Sequence, residues 1–336
     1  MVIGHGNDQY QYKDIEVDFS SNIPGGIDHE DLFAYLSQTL GQVEDYPSPD
    51  AAPLAEALAF RLMIQKDEIA VTNGATEAIY LTAQAFRGSR SAILIPTFSE
   101  YEDACILHGH TVKHIFSLDE VPSDVQMVWM CNPNNPTGSA VPHDTLLPFI
   151  EKHADVLFVI DQSYESLTPY PLLTASEANA LPNVILIHSM TKEYAIPGLR
   201  IGYLTANASL MRQIASQRMP WSVNQVAINA GLFLLRQYDE SPFCLDELLE
   251  ERAYMAGQLT AMGGFEPWPS ETNFLLVQLR TGKAPALKRW LAEEHHLLIR
   301  DASNFAGLDD RFFRIAVQEP EENERLLDAL EEWIQL

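Results

Sequence analysis

Cysteine is scarce in this chain. There are three, Cys105, Cys131 and Cys244, and no CxxC pair. That spacing excludes a disulfide framework and a thiolate zinc site, and it suits a reducing cytoplasm. Cations are also few: 21 Lys+Arg stand against 47 Asp+Glu, a formal net charge of -26. Nucleic acid and anionic membrane surfaces both require clustered cations, so neither partner is expected. A small anionic substrate stays open, because a few local arginines outweigh the global field at short range. Long apolar runs are missing: the longest are strand-sized, far below the roughly 20 residues of a membrane span. The N-terminal stretch Met1-Val-Ile-Gly-His-Gly-Asn-Asp8 lacks the apolar core of a signal peptide. No internal repeat, GxGxxG fingerprint or GxxxxGK[ST] loop occurs. His29-Glu30 has Phe33 where HExxH needs its second histidine. His108, His110 and His114 have no carboxylate arrangement around them, so no metal is expected. His295-His296 reads as a helix end complementing the dipole.

What is present centres on Ser189-Met-Thr-Lys192-Glu-Tyr-Ala-Ile-Pro-Gly-Leu-Arg200, which follows the apolar run 184–188. Such a run reads as a buried parallel strand. In open α/β sheets, ligands bind outside the carboxyl ends of the strands. A lysine there is partly desolvated, its pKa falls, and it can form a Schiff base with a carbonyl. A hydroxyl three residues before it and a guanidinium eight after suit an aldehyde that carries a phosphate, namely pyridoxal phosphate. Alone, Ser-x-x-Lys is weak and also serves acyl transfer.

The remainder of the chain supplies the context. Residues 1–27 form a polar arm ending in Ser20-Ser-Asn-Ile-Pro-Gly-Gly26, a turn-rich loop. A helix from about residue 28 carries Leu32, Leu36 and Leu40, and Asp50 reads as the N-cap of a helix bearing Leu54, Leu58 and Leu62. Strands at 68–72, 92–95, 127–131, 156–160, 184–188 and 201–206 then alternate with helices. This is the pattern of an α/β fold with a mostly parallel central sheet and helices on both faces. After helices near 207–218, 223–237 and 241–262, the tail alternates differently: strands 274–279, 297–300 and 312–317 with helices 284–296 and 320–335. The expected domains are the arm 1–27, a large cofactor-binding domain 28–239 and a smaller α+β domain 240–336, with the site in the cleft between them.

Four strand ends deliver polar groups to one edge: residues 74–76, Asn135, Asp161 with Tyr164, and Ser189 with Lys192. Gly74 permits close approach, and the amides of Ala75 and Thr76 open a helix, so with Ser189 and Arg200 they form a cup for a dianion. Asp161 follows an apolar run. A buried carboxylate needs a partner, and a pyridinium nitrogen supplies one, keeping the ring an electron sink. Tyr164 and Asn135 are placed for the ring hydroxyl. Phe98 is placed to stack on the ring, with Tyr101 as its substitute.

Taken together, Asn-Gly-Ala-Thr-Glu-Ala, Asn-Pro-Asn-Asn-Pro-Thr-Gly, Asp-x-x-Tyr and Ser-x-x-Lys-x(7)-Arg resemble the class I/II aminotransferases across nearly the whole chain. The resemblance implies an aspartate-aminotransferase-like fold (pyridoxal-phosphate fold type I). It implies Lys192 as the Schiff-base lysine, Asp161 on the pyridine nitrogen, and Asn135 and Tyr164 on the ring hydroxyl. Ala75, Thr76, Ser189 and Arg200 would hold the phosphate. It further implies a homodimer in which Tyr46 reaches the cofactor phosphate of the opposite subunit. Arg314, in Phe-Phe-Arg-Ile-Ala-Val, matches the arginine that holds the substrate's anionic group; Arg300 is the second candidate. Asn22 lies in a loop expected near the substrate and shortened here to Asn22-Ile-Pro-Gly-Gly.

Two branches of the family compete. Thr-Lys192-x-Tyr-Ala-Ile-Pro-Gly-Leu-Arg, Met219-Pro-Trp-Ser-Val-Asn224 and Ile299-Arg-Asp-Ala-Ser-Asn-Phe-Ala-Gly-Leu-Asp309 look like L-threonine O-3-phosphate decarboxylase, which makes the aminopropanol phosphate of the cobalamin side chain. The other branch is histidinol-phosphate aminotransferase, of histidine biosynthesis. Breaking Cα–H leads to transamination and breaking Cα–carboxylate to decarboxylation, according to where the arginines hold each anion. The fold also serves as an effector-binding module in transcription regulators that carry an extra DNA-binding domain. This acidic chain begins directly with the arm, so a non-catalytic role is not expected.

Overall fold

The structure, a computed structural model, describes residues 8–238 and 241–336. The first seven residues of the arm and the expected boundary at 239–240 lie outside the described residues. The strands in chain order are β1 (Val17–Asp18), β2 (Ile69–Thr72), β3 (Arg90–Leu94), β4 (Thr111–Ile115), β5 (Met127–Cys131), β6 (Leu157–Asp161), β7 (Val184–Ser189), β8 (Gly202–Ala206), β9 (Phe265–Pro267), β10 (Phe274–Leu279), β11 (Leu297–Leu298), β12 (Arg300–Asp301) and β13 (Phe312–Ala316).

Seven of them form the central sheet in the order β2-β8-β7-β6-β5-β3-β4. Strands β7, β6, β5, β3 and β4 run parallel, and β8 is antiparallel to both its neighbours. The pleat of β5 explains its unbroken apolar run. Met127, Trp129 and Cys131 enter the core on one face, while Val128 and Met130 enter the core on the other. A strand covered on both faces has no polar side to show.

The C-terminal sheet is antiparallel, in the order β12-β13-β10-β9. Helix Pro320–Trp333 packs on it, burying Leu326, Leu327 and Leu330, each contributing about 1.5–3 kcal/mol. Trp333 is the residue that closes this face; Ile334 is exposed. The arm belongs here too, since β1 pairs in parallel with β11.

Strands β4 and β9 are not among those expected, and two further local expectations differ from the structure. The N-cap of helix Ala52–Leu62 is Ala51, in the left-handed region at φ 56°. Asp50 sits one residue early, though its carboxylate still accepts the Ala52 amide at 3.2 Å. The single strand expected at 297–300 is split at Ile299. Its first half joins the arm and its second half joins β13, which places Arg300 on the same sheet as Arg314.

Candidate active site

The carboxyl ends of β2, β5, β6 and β7 open on a cavity of about 530 Å³, whose far wall comes from β12, β13 and the arm. Ala75, Thr76, Phe98, Asn135, Asp161, Tyr164, Ser189, Lys192, Arg200, Arg300 and Arg314 all line it. Gly74, Asn22 and Tyr46 do not. Tyr46 is 86% exposed and packs at 5.3 Å on Trp221. Asn22 is a correction to its expected place beside the substrate. It is fully buried in the left-handed region at φ 49°, with its amide close enough to the Tyr164 hydroxyl to act on it but short of hydrogen-bond geometry.

Backbone geometry builds the anion cup. Helix Gly74–Ala85 begins at Gly74, with φ +76°. A Cβ there would lie 2.7 Å from Arg200 Nη2, so only glycine lets the guanidinium close over the helix start. Gly202 does the same from below: its Cβ would meet the Ala75 amide nitrogen at 2.6 Å and the His188 carbonyl at 2.7 Å. Arg200 itself is anchored by Nη1 donating to the Pro197 carbonyl at 3.0 Å. A helix N-terminus beneath a fixed cation is a site for a phosphate.

Asp161 is 4% exposed. Its oxygens accept from the Tyr101 hydroxyl at 2.7 Å and the Ser163 amide at 2.9 Å, and among the described residues it contacts no cation. Burial raises its pKa, while those hydrogen bonds and the charge of His188 oppose the rise. Tyr101 is therefore not a spare stacking ring. It is buried between Trp129 and Phe98 and orients the carboxylate.

Lys192 Nζ donates to the Ser21 carbonyl at 2.6 Å and lies 5.9 Å from the Tyr164 ring. Burial, then the charges of Arg314 and Arg200, bring its pKa down to about 7. The amine is thus substantially neutral near pH 7. Covalent capture of pyridoxal phosphate by the apoprotein is expected to rise through pH about 7 and level off above it. Absorbance kinetics check this; a rate still climbing toward pH 10 would mark an ordinary lysine. The sign for stability agrees. The unfolded chain binds more protons here between pH 7 and 10.5, so this group's penalty on the apoprotein shrinks as pH rises through that window.

Two arginines face the cavity side by side, since Arg300 and Arg314 are direct partners across β12 and β13. Both are buried, at 7% and 5% exposed, and neither forms an ion pair among the described residues. Arg314 Nη1 donates to Asn135 Oδ1, Nη2 donates to the Ser20 carbonyl, and Nε has no partner. Arg300 donates to the Asp301 carbonyl at 2.7 Å and to Asn304 Oδ1 at 2.8 Å. Burial lowers both, and Arg314 falls to about 10, with Arg300's charge adding to the effect. The charges of Asp18 on Arg314 and of Asp301 and Asp8 on Arg300 only partly offset burial, so two desolvated cations side by side suit an anion. Asn135, expected on the ring hydroxyl, commits its carbonyl oxygen to Arg314.

The residues fit pyridoxal phosphate. Gly74 and Arg200 make a cradle that a Cβ would fill, Asp161 lacks a cation, and a near-neutral amine stands opposite. Of the histidine trio, His110 is buried between Ser91 and the Ala83 carbonyl, and His114 lies 3.1 Å from Glu102. His295 caps helix Ala284–Glu294 and pairs with Glu332 at 3.5 Å. Residues missed in the sequence are Gly202, Asn304 and the carbonyls of Ser20 and Ser21, together with the hydrogen bond of Tyr101 to Asp161. Only Gly202 carried a signal, a glycine inside a strand, which marks close backbone approach.

Comparison with known proteins is consistent with this geometry. The model of the family described as aminotransferase class I and II matches residues 17–330. Threonine-phosphate decarboxylase of Salmonella typhimurium is 32% identical over 332 residues, covering 94% of this chain and 90% of its own. A histidinol-phosphate aminotransferase of Thermoanaerobacter sp. is 30% identical over 305 residues, covering 87% and 85%. The crystal structure of L-threonine-O-3-phosphate decarboxylase from Porphyromonas gingivalis has a TM-score of 0.92 at 38% identity, covering 95% of this chain and all of that one.

Proposed function

Because this chain belongs to the class I and II aminotransferase family of pyridoxal-phosphate enzymes, we propose that it decarboxylates L-threonine O-3-phosphate. The observation that carries the reading is the buried pair Arg300 and Arg314, set opposite each other on the cavity wall, their guanidinium groups donating to carbonyl oxygens. The proposed substrate brings two anions, a carboxylate and a phosphate. Each guanidinium can take one bidentately. The Asn135 and Ser20 acceptors fix the plane of Arg314, and Asn304 and Asp301 fix that of Arg300.

When bound, pyridoxal phosphate supplies an electron sink next to the substrate's Cα. Ala75, Thr76, Ser189 and Arg200 would hold its phosphate, Asp161 its ring nitrogen, Tyr164 and Asn135 its hydroxyl, and Phe98 its ring face. The arginines hold the substrate's anions, the carboxylate leaves as carbon dioxide, and its electron pair stays toward Cα. Lys192 Nζ, with a pKa of about 7, can act as the acid that delivers one proton to Cα in place of the lost carboxylate, giving an aminopropanol phosphate. The second reading is a transaminase acting on histidinol phosphate, supported by the 30% identical relative. Histidinol phosphate has no carboxylate, so in that half-reaction its one phosphate would meet only one of the two buried arginines. Carbon dioxide release from L-threonine O-3-phosphate without a keto acid tests the choice.

The reading takes residues 28–239 as the cofactor-binding domain and 240–336, with the arm, as the smaller one. It includes a homodimer. Tyr46, Phe60, Met63 and Met219 are 73% or more exposed, an apolar set that favours a second copy, and Tyr46 would reach the partner's cofactor phosphate. No helix among the described residues is long and apolar enough to cross a membrane. A cytoplasmic location belongs to the same reading and is supported by three free cysteines.

A further inference from the structure

One buried lysine ties the start of the described chain to the C-terminal domain. Lys288 lies on helix Ala284–Glu294 among the core residues Leu287 and Leu291, and is 5% exposed. Its ammonium pairs with Asp8 Oδ2 at 2.5 Å and lies 5.6 Å from the Tyr12 ring centroid. Among the described residues no other carboxylate contacts it. Between Asp8 and Tyr12 runs the 3-10 turn Gln9–Gln11. That turn puts Gln9 on the cavity wall that also carries Arg300 and Asn304. Neither Lys288 nor Asp8 lines the cavity.

A lysine is a costly choice for this position. A methionine would pack on the same helix face with no charge to desolvate, and replacing a buried ion pair by apolar residues is often neutral or stabilising. The pair therefore does something other than hold the helix down. It fixes where residues 8–12 lie. The same segment then passes through β1 to Ser20 and Ser21, whose carbonyls hold Arg314 and Lys192. The pair has a second consequence. The charges of Asp301 and then Asp8 already act on Arg300 with Asp8 held at Lys288. Released from the ammonium, the Asp8 carboxylate would be free to move toward that arginine as a rival anion.

We propose that Lys288 is a positioning residue: through Asp8 it holds Gln9 across the cavity mouth and withholds the Asp8 carboxylate from Arg300, so that both arginines stay open to the substrate's anions. This rests on the reading that Arg300 and Arg314 bind substrate. Lys288 touches no reacting atom, so its effect falls on affinity and not on the chemical step.

The test uses cofactor-loaded enzyme as wild type, Lys288→Met, Asp8→Asn and the double variant. Affinity for L-threonine O-3-phosphate is read from the cofactor absorbance, alongside KM and kcat. Lys288→Met is expected to weaken affinity about tenfold and Asp8→Asn about threefold, with kcat within about twofold of wild type. The double variant should bind better than Lys288→Met, because the rival carboxylate is gone. Trypsin should cut after Lys13 faster in both single variants. A merely structural lysine would instead lower affinity and kcat together. Affinity within about twofold of wild type in Lys288→Met, or additive losses, would overturn the proposal. Should Lys288→Met not fold, Asp8→Asn decides alone by the same threshold. If wild type does not bind L-threonine O-3-phosphate, the functional reading fails. The variants are then compared on histidinol phosphate, where the ratio to wild type still judges Lys288.

Discussion

Replacing Lys192 with alanine is expected to lower turnover by roughly 10⁴-fold or more, because no neighbouring group can take its place. Asp161 and Tyr164 stand close, but burial raises the pKa of both and neither is an amine. The absorbance band of the lysine-bound cofactor should vanish with it. The fold is expected to survive, since the change removes a desolvated amine whose one hydrogen bond goes to the Ser21 carbonyl. Retention of a tenth of wild-type turnover would remove Lys192 from the mechanism.

Arg314→Ala is the second large effect. It strips two hydrogen bonds and one of two buried cations from the substrate wall. Truncating a buried, hydrogen-bonded charge costs about 2–5 kcal/mol, or roughly 30- to 4,000-fold in affinity. Cofactor binding should persist, because the phosphate cup and Asp161 do not depend on it. A further readout separates this from general damage. Arg314 is one of the charges that hold the Lys192 pKa down, so its removal should move the pH midpoint of cofactor capture upward from about 7. Loss of the cofactor, or an unmoved midpoint with unchanged affinity, would contradict the assignment.

The middle of the sheet was legible because its strands are covered on both faces, whereas the exposed edge strand β4 is not among those expected. The run Met127–Cys131 is apolar throughout, and the same holds for Val184 to Ile187, so their existence followed from composition alone, while their order in the sheet did not. The polar residues just past those strands were legible for the same reason, since a buried strand leaves its cleft-facing groups at its end. Contacts made by backbone atoms were not. Nothing in the letters marks the Ser20 and Ser21 carbonyls as the acceptors for Arg314 and Lys192. Nor does the apolar run around Leu297 announce a break at Ile299, because both halves are buried and differ only in partner. That break decides the orientation of Arg300. Tyr101 was misjudged because an aromatic beside a cofactor reads as a stacking ring, whereas its hydroxyl found a buried carboxylate that had to be satisfied. Asn22 failed in the other direction: its loop is close to the site, but the left-handed turn at Asn22 sends it into the core.

The measurement that bears most directly on the account is carbon dioxide release from L-threonine O-3-phosphate by the cofactor-loaded enzyme with no keto acid present. Two buried arginines awaiting two anions predict catalytic release, many equivalents per active site, with the cofactor unchanged at the end. No release, with the cofactor passing to its amine form until 2-oxoglutarate restores it, would contradict the decarboxylase reading and establish a transaminase on the same residues.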